Sequence, residues 1–127
     1  MAKVLLDTSI IIDFLRRKDK KNSALINLSR GDNQLFISII THTELYAGKS
    51  VWHKKAAMAE LEAIFSGTTV IELSTEISQK AGEIKAKYNL HLFDAIIAAT
   101  ALISNSALAT MNIKDFIVVE NLKLLKL

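Results

Sequence analysis

Short apolar runs alternate with stretches of helical periodicity along the whole chain, and this alternation most constrains the fold. "VLL" lies within residues 3–6, "LFIS" covers 35–38, "TTVIEL" covers 68–73 and "ALAT" covers 107–110. Residues 3–6 read as a short buried strand, "LFIS" as a second strand, the β-branched "TTVIEL" as a third and "ALAT" as a short fourth, and the first strands are continuously apolar. Between them lie helical segments: 9–17, 20–30 closed by Gly31, 41–49, 53–66 ended by Gly67, a segment marked by Ile77, Ala81, Ile84 and Tyr88, and 94–103. The run "DAIIAATALI" at 94–103 is apolar nearly all round, which predicts a buried helix. "FIVVE" at 116–120 is read as a possible fifth strand. Strands separated by helical crossovers predict an α/β fold with a parallel sheet of four to five strands, covered on both faces.

A chain of 127 residues is one domain in size, here 1–127, and half of its residues are apolar, enough for a real core. There is no cysteine, which excludes disulfides and thiolate metal sites. No apolar run reaches bilayer-spanning length, and no signal-peptide pattern is seen, so a soluble cytoplasmic protein with no membrane partner is expected.

In open parallel sheets ligands sit beyond the carboxyl ends of the strands. Asp7 directly follows the first strand, Glu44 lies early in the helix after the second, and Asp94 opens the buried helix that feeds the fourth. Thr110 and Asn112 follow that fourth strand, with Asp115 one turn further. Each carboxylate also has a purely structural reading. Asp7 and Asp94 suit helix N-caps, and Thr41 with Glu44 spells a capping box, T-x-x-E. Together, however, three carboxylates on one apolar edge repel one another unless a cation or protons compensate. An all-oxygen donor set suits a hard divalent cation, Mg²⁺ or Mn²⁺.

"VLLDTSIIIDFL", "ISIITHTELYAG", "LFDAIIAATAL" and "LATMNIKDF" resemble, in order and spacing, the successive motifs of the PIN-domain family. The likeness is to the small ribonuclease toxins of VapBC toxin–antitoxin pairs, and it covers nearly the whole chain. It implies a three-layer α/β/α fold and a Mg²⁺- or Mn²⁺-dependent endoribonuclease. The implied partners are an RNA substrate, a small VapB-like antitoxin and a second copy of the chain in a homodimer. The resemblance makes Asp7, Glu44 and Asp94 the catalytic metal-binding carboxylates. The fourth acidic position of the family falls at Asn112, a neutral oxygen donor, and Asp115 is the substitute candidate. Thr8, Ser9 and Thr110 are implied to support the carboxylates.

Net charge is +3, with Arg16, Arg17, Lys18, Lys20 and Lys21 forming one cluster and Lys49, His53, Lys54 and Lys55 another. Such clusters attract phosphate backbones, and they equally occur as solvated helix ends; Arg16, Arg17, Lys18, Lys49 and Lys54 are the RNA-binding candidates. Asp13 is expected to pair with an arginine, and His91 to sit in a loop. Tyr46 is expected to pack between helices, and Trp52 to help form a dimer or antitoxin surface. Other chemistries lack their residues. A haloacid-dehalogenase-like phosphatase needs a carboxylate where Ser9 stands, a receiver domain needs Asp after the third strand, and no glycine-rich phosphate loop exists. An inactive RNA- or protein-binding module is the alternative, with Asn112 as its support.

Overall fold

The computed structural model describes residues 1–127. Strands β1 (Ala2–Leu6), β2 (Asn33–Ser38), β3 (Thr69–Ile71) and β4 (Ala107–Ala109) form one sheet in the order β3-β2-β1-β4, with every pairing parallel. Helices α1 (Thr8–Arg16), α2 (Ala24–Arg30), α3 (Ile39–Tyr46), α4 (Lys49–His53), α5 (Lys55–Ser66), α6 (Thr75–Tyr88), α7 (Leu92–Ile103) and α8 (Ile113–Phe116) complete the chain. No helix is long and apolar enough to cross a membrane.

The period-two geometry of a strand divides the core into two layers. Val4 and Leu6 of β1 join Ile10, Ile11, Leu25, Ile37 and Leu61 on one face of the sheet. Leu5 joins Ile77, Ala81, Ile84, Ile97 and Leu108 on the other. Val4, Leu5 and Leu6 are wholly buried, as expected of a strand covered on both sides. The arrangement is the expected three-layer α/β/α sandwich. On one face α6 and α7 pack along each other, and Ala95, Ala98, Ala99 and Ala101 of α7 are fully buried. Their small side chains let the helix lie close against its neighbours.

Several expected boundaries move, each for a visible reason. The helix read over 20–30 is broken: a 3₁₀ turn at Lys20–Asn22 gives way to α2, and Ser23 caps that helix by accepting the Ile26 N–H. Gly31 ends α2 with φ −80°, so it is not a left-handed cap. Its missing Cβ instead leaves room for Asn33, whose side-chain amide donates to the Leu28 carbonyl at 3.0 Å. The helix read over 41–49 begins at Ile39 and ends at Tyr46, and 53–66 falls within two helices, α4 and α5. The left-handed helix end is at Asn89, φ 55°, closing α6.

The fifth strand expected at 116–120 is not formed. Phe116 closes α8 and Val119 lies in the turn after it; both are buried, whereas Ile117 and Val118 are exposed at 66% and 53%. Burial at a spacing of three is a helical turn, not a strand. The chain reaches β4 only later, through an isolated parallel bridge of Leu124 to Leu108.

Candidate functional site

Strands β1, β2 and β3 are laid down consecutively in one direction, and β4 is then placed on the other side of β1. The sheet therefore reverses between β1 and β4, and a crevice opens at the carboxyl ends of those two strands. Asp7 follows β1 and Thr110 follows β4 at this point. The Asp7 N–H donates to the Ala109 carbonyl at 2.9 Å, which carries the strand pairing up to the site.

Asp7 occupies the N-cap position of α1, yet its side chain makes no capping bond. It is 3% exposed, and its Oδ2 accepts two hydroxyls, from Ser9 at 2.6 Å and from Thr110 at 2.7 Å. Those hydroxyls are themselves fixed: Ser9 Oγ accepts the Met111 N–H and Thr110 Oγ1 accepts the Asn112 N–H, both at 3.0 Å. A hydroxyl has one proton to give, and both protons go to Asp7 Oδ2. Oδ1 takes no hydrogen bond from the protein and is not sealed from solvent.

Glu44 stands on α3, the helix that leaves the carboxyl end of β2. The sequence suggested a capping box of Thr41 with Glu44. Instead Ser38 caps α3 by accepting the Ile40 N–H at 3.0 Å. Glu44 is thereby free of the helix end, and its Oε1 accepts the Thr8 hydroxyl at 2.7 Å. Its Oε2 has no protein partner. So Asp7 and Glu44 share a pattern: one oxygen held by hydroxyls, the other left open.

Asp94 is not the N-cap of α7. That position belongs to His91, and Asp94 lies within the first turn, half-buried, with no protein hydrogen bond. Glu44 and Asp94 line one cleft of about 410 Å³ with His91, Leu92 and Phe93. Burial holds the Asp94 carboxyl above the ordinary carboxylate range, and the negative charges of Asp7, Asp115 and Glu44 push it further; His91 acts in the opposite sense. Carboxylates far apart in sequence thus act on one another across this edge.

Asn112 is exposed at the N-cap position of α8 and makes no side-chain cap, and Asp115 is exposed one turn later, near enough for its charge to bear on Asp94. His91 sits just before α7, as a loop histidine should, and it also lines the cleft. Phe93 and Leu92, half-exposed on the cleft wall, carried no signal of their own, and Thr41, whose hydroxyl meets Thr8, was legible only as a helix cap.

No group of three or more acidic or histidine side chains stands close enough to cage a cation unaided. The donor chemistry nevertheless fits Mg²⁺ or Mn²⁺. Mg²⁺ is usually held by one or two carboxylates, with water and substrate phosphate completing its shell. Two carboxylates that each present one unpartnered oxygen, beside a third pushed toward protonation by its neighbours, supply such a donor set.

The basic candidates lie elsewhere. No lysine or arginine lines the cleft. Arg16 is exposed at the far end of α1, where a helix of nine residues carries its backbone about 13 Å from Asp7, and Lys18 is exposed just beyond that end. Arg17 pairs with Asp13 at 3.6 Å, the structural pairing expected for Asp13, and Lys20 pairs with Glu60 at 3.7 Å. Lys49 and Lys54 are exposed at the two ends of α4. Trp52 is 65% exposed, its indole N–H donating to the Tyr46 carbonyl, and Tyr46 packs against His42 and Phe65.

Comparison with known proteins agrees with this fold. The PIN domain model matches residues 4–121. Ribonuclease VapC19 of Mycobacterium tuberculosis H37Rv is 28% identical over 117 residues, covering 88% of this chain and 90% of that protein. Among solved structures, a chain of a toxin-antitoxin complex from Klebsiella pneumoniae superposes with a TM-score of 0.74 at 32% identity, over 94% of both chains. A chain of VapBC2 from Rickettsia felis, bound to a promoter DNA fragment, gives a TM-score of 0.78 at 25% identity, over 97% of both.

Proposed function

The chain belongs to the PIN-domain family, and from that premise we propose that it is an endoribonuclease, the toxin of a type II toxin–antitoxin pair, which hydrolyses RNA phosphodiester bonds with a divalent cation. The observation that carries this reading is that Asp7 and Glu44 each have one oxygen fixed by hydroxyls and one open, and that the charges of both bear on Asp94. Asp7, Glu44 and Asp94 hold the cation, Mg²⁺ or Mn²⁺, and Asn112 or Asp115 completes the acidic edge. When bound, such a cation lowers the pKa of a water molecule and offsets the charge of the attacked phosphate.

The residues of the chain do the rest. Ser9 and Thr110 keep Asp7 from turning into a helix cap. The Leu92–Phe93 wall narrows the cleft on the side of Asp94. Lys49, Lys54, Arg16, Arg17 and Lys18 lie outside the cleft, so their part is to hold the RNA backbone away from the point of cutting. With water as the nucleophile, the products carry 5′-phosphate and 3′-hydroxyl ends; a 2′,3′-cyclic phosphate product would exclude this chemistry.

The antitoxin has a candidate seat. An apolar cavity of about 270 Å³ opens between α1, α2, β2 and α5, lined by Phe14, Leu25, Ile26, Leu35 and Ile64 among others. It is of the kind that receives apolar anchors of a partner helix. None of Asp7, Glu44 and Asp94 lines it, and Glu60 is its one carboxylate. A homodimer is part of the same reading, and light scattering of the isolated protein tests it.

The deciding experiment incubates the protein with structured RNA in EDTA, Mg²⁺ or Mn²⁺, beside Asp7→Asn and Asp94→Asn. Metal-dependent cutting lost in both variants is the expected result. RNA or antitoxin binding without cutting in any metal would favour an inactive binding module, with Asn112 the first residue to revert to Asp.

A further inference from the structure

Thr41 is fully buried, and the only hydrogen bond of its side chain leaves its own helix. Thr43 and Thr100 do what helical threonines commonly do, donating to the carbonyl four residues back, Ile39 at 3.0 Å and Ile96 at 2.7 Å. Thr41 lies in the first turn of α3, and its Oγ1 instead meets Thr8 Oγ1 on α1, at 2.9 Å.

The direction of that bond follows from counting protons. A threonine hydroxyl donates once, and an ionised carboxylate only accepts. The proton of Thr8 lies on Glu44 Oε1, at 2.7 Å. Thr8 must therefore accept from Thr41, which gives an ordered chain from Thr41 to Thr8 to Glu44. A hydroxyl that accepts one hydrogen bond donates a stronger one, because the bonds polarise each other.

We propose that Thr41 is a positioning residue for Glu44: its buried hydroxyl fixes the Thr8 proton on Glu44 Oε1 and so leaves Oε2 free for the cleft. The inference rests on the reading of Glu44 as a cation-holding residue. It makes the hydroxyl pair on Glu44 the counterpart of the Ser9 and Thr110 pair on Asp7. The two carboxylates are held by the same device, in series for Glu44 and in parallel for Asp7.

The test is Mn²⁺ titration of the full chain by calorimetry, with RNA cleavage run in parallel. Thr41→Val removes the hydroxyl at nearly constant volume and strands no donor, since Thr8 keeps Glu44 as its acceptor. It is expected to weaken Mn²⁺ binding about tenfold, the lower end of what loss of a ligand's hydrogen-bond partner costs. It should lower kcat while leaving the KM for RNA unchanged. Thr41→Ser should restore both, and Thr41→Ala should reproduce the loss should Thr41→Val fold poorly. Because the chain is in series, adding Thr41→Val to Thr8→Val should cost nothing more.

Wild-type Mn²⁺ affinity in both Thr41→Val and Thr41→Ala would overturn the inference. So would failure of serine to rescue, or additive losses in the double variant. If the wild-type protein itself binds no Mn²⁺, the reading of Glu44 as a cation-holding residue fails first, and the role of Thr41 falls with it.

Discussion

At the scale of single residues, Asp7 shows how a position and its chemistry can part. The chain places it where a helix cap belongs, but Ser9 and Thr110 take hold of the carboxylate first. Asp7→Asn retains an acceptor oxygen for those hydroxyls, so the fold should persist while one ligand charge is lost. The variant is expected to lose cleavage beyond the ~10–100-fold that removal of a ligand's partner costs, with its thermal unfolding little changed. Near-normal cutting would return Asp7 to a structural role. Asp94 gives a pH signature. Its folded carboxyl binds a proton more readily than it would in the unfolded chain, because burial and the charges of Asp7, Asp115 and Glu44 disfavour ionisation. Its contribution is therefore least unfavourable below the ordinary carboxylate range, and stability declines as pH rises through that range toward the raised value. In EDTA, Asp94→Asn should raise the unfolding temperature at pH 7, and that gain should vanish as pH falls through the carboxylate range. A constant gain at all pH values would mean that charge is not the cause.

At the scale of elements, α3 decides the position of Glu44, and its start is set by Ser38 rather than Thr41. The sequence reading placed the cap at Thr41 and left Ser38 in the preceding strand. Ser38 is 1% exposed at the end of a buried strand, so an uncapped N–H there would have no water to turn to. Ser38→Ala should cost about 0.5–2 kcal/mol in urea unfolding. The buried helix α7 is the second such element. Ala98 is fully buried in the layer where α7 packs with α6, and Ala98→Leu should destabilise by about 1–3 kcal/mol through overpacking. An unchanged unfolding midpoint would show that the two helices separate easily. The end of the chain was the element least legible in advance. "FIVVE" has strand-forming residues, but Phe116 and Val119 both found the core, and only a turn can bury residues three apart.

At the scale of the whole molecule, the strand order brings Asp7 and Thr110 together from opposite ends of the chain, at the one place where the sheet changes direction. The basic side chains stand outside this crevice, so affinity and cleavage should respond to different residues. Binding of single-stranded RNA to the Asp7→Asn variant should weaken with salt, and each of Lys49→Ala and Lys54→Ala should flatten the log–log slope by about 0.7. Slopes that stay the same would remove these lysines from the RNA path. The apolar cavity between α1, α2, β2 and α5 makes the opposite demand: a partner seated there meets Phe14, Leu25 and Ile64 rather than the carboxylates.

The sequence by itself determined the layered α/β architecture, because continuous apolar runs and helical spacing leave a buried parallel sheet as the economical way to cover both. It also singled out Asp7, Glu44 and Asp94 as candidates, since carboxylates embedded in apolar stretches need a reason to be there. The family resemblance implied Thr8, Ser9 and Thr110 as supports, but only the tertiary structure decided which carboxylate each one holds and brought in Thr41. Ser9 with Thr110 on Asp7, and Thr41 with Thr8 on Glu44, are contacts between residues 101 and 33 positions apart. Hydroxyl partners of this kind leave no periodic trace in a sequence, because a single proton can be given to a helix's own backbone or to a distant side chain. The packing of the elements alone determines which acceptor is within reach.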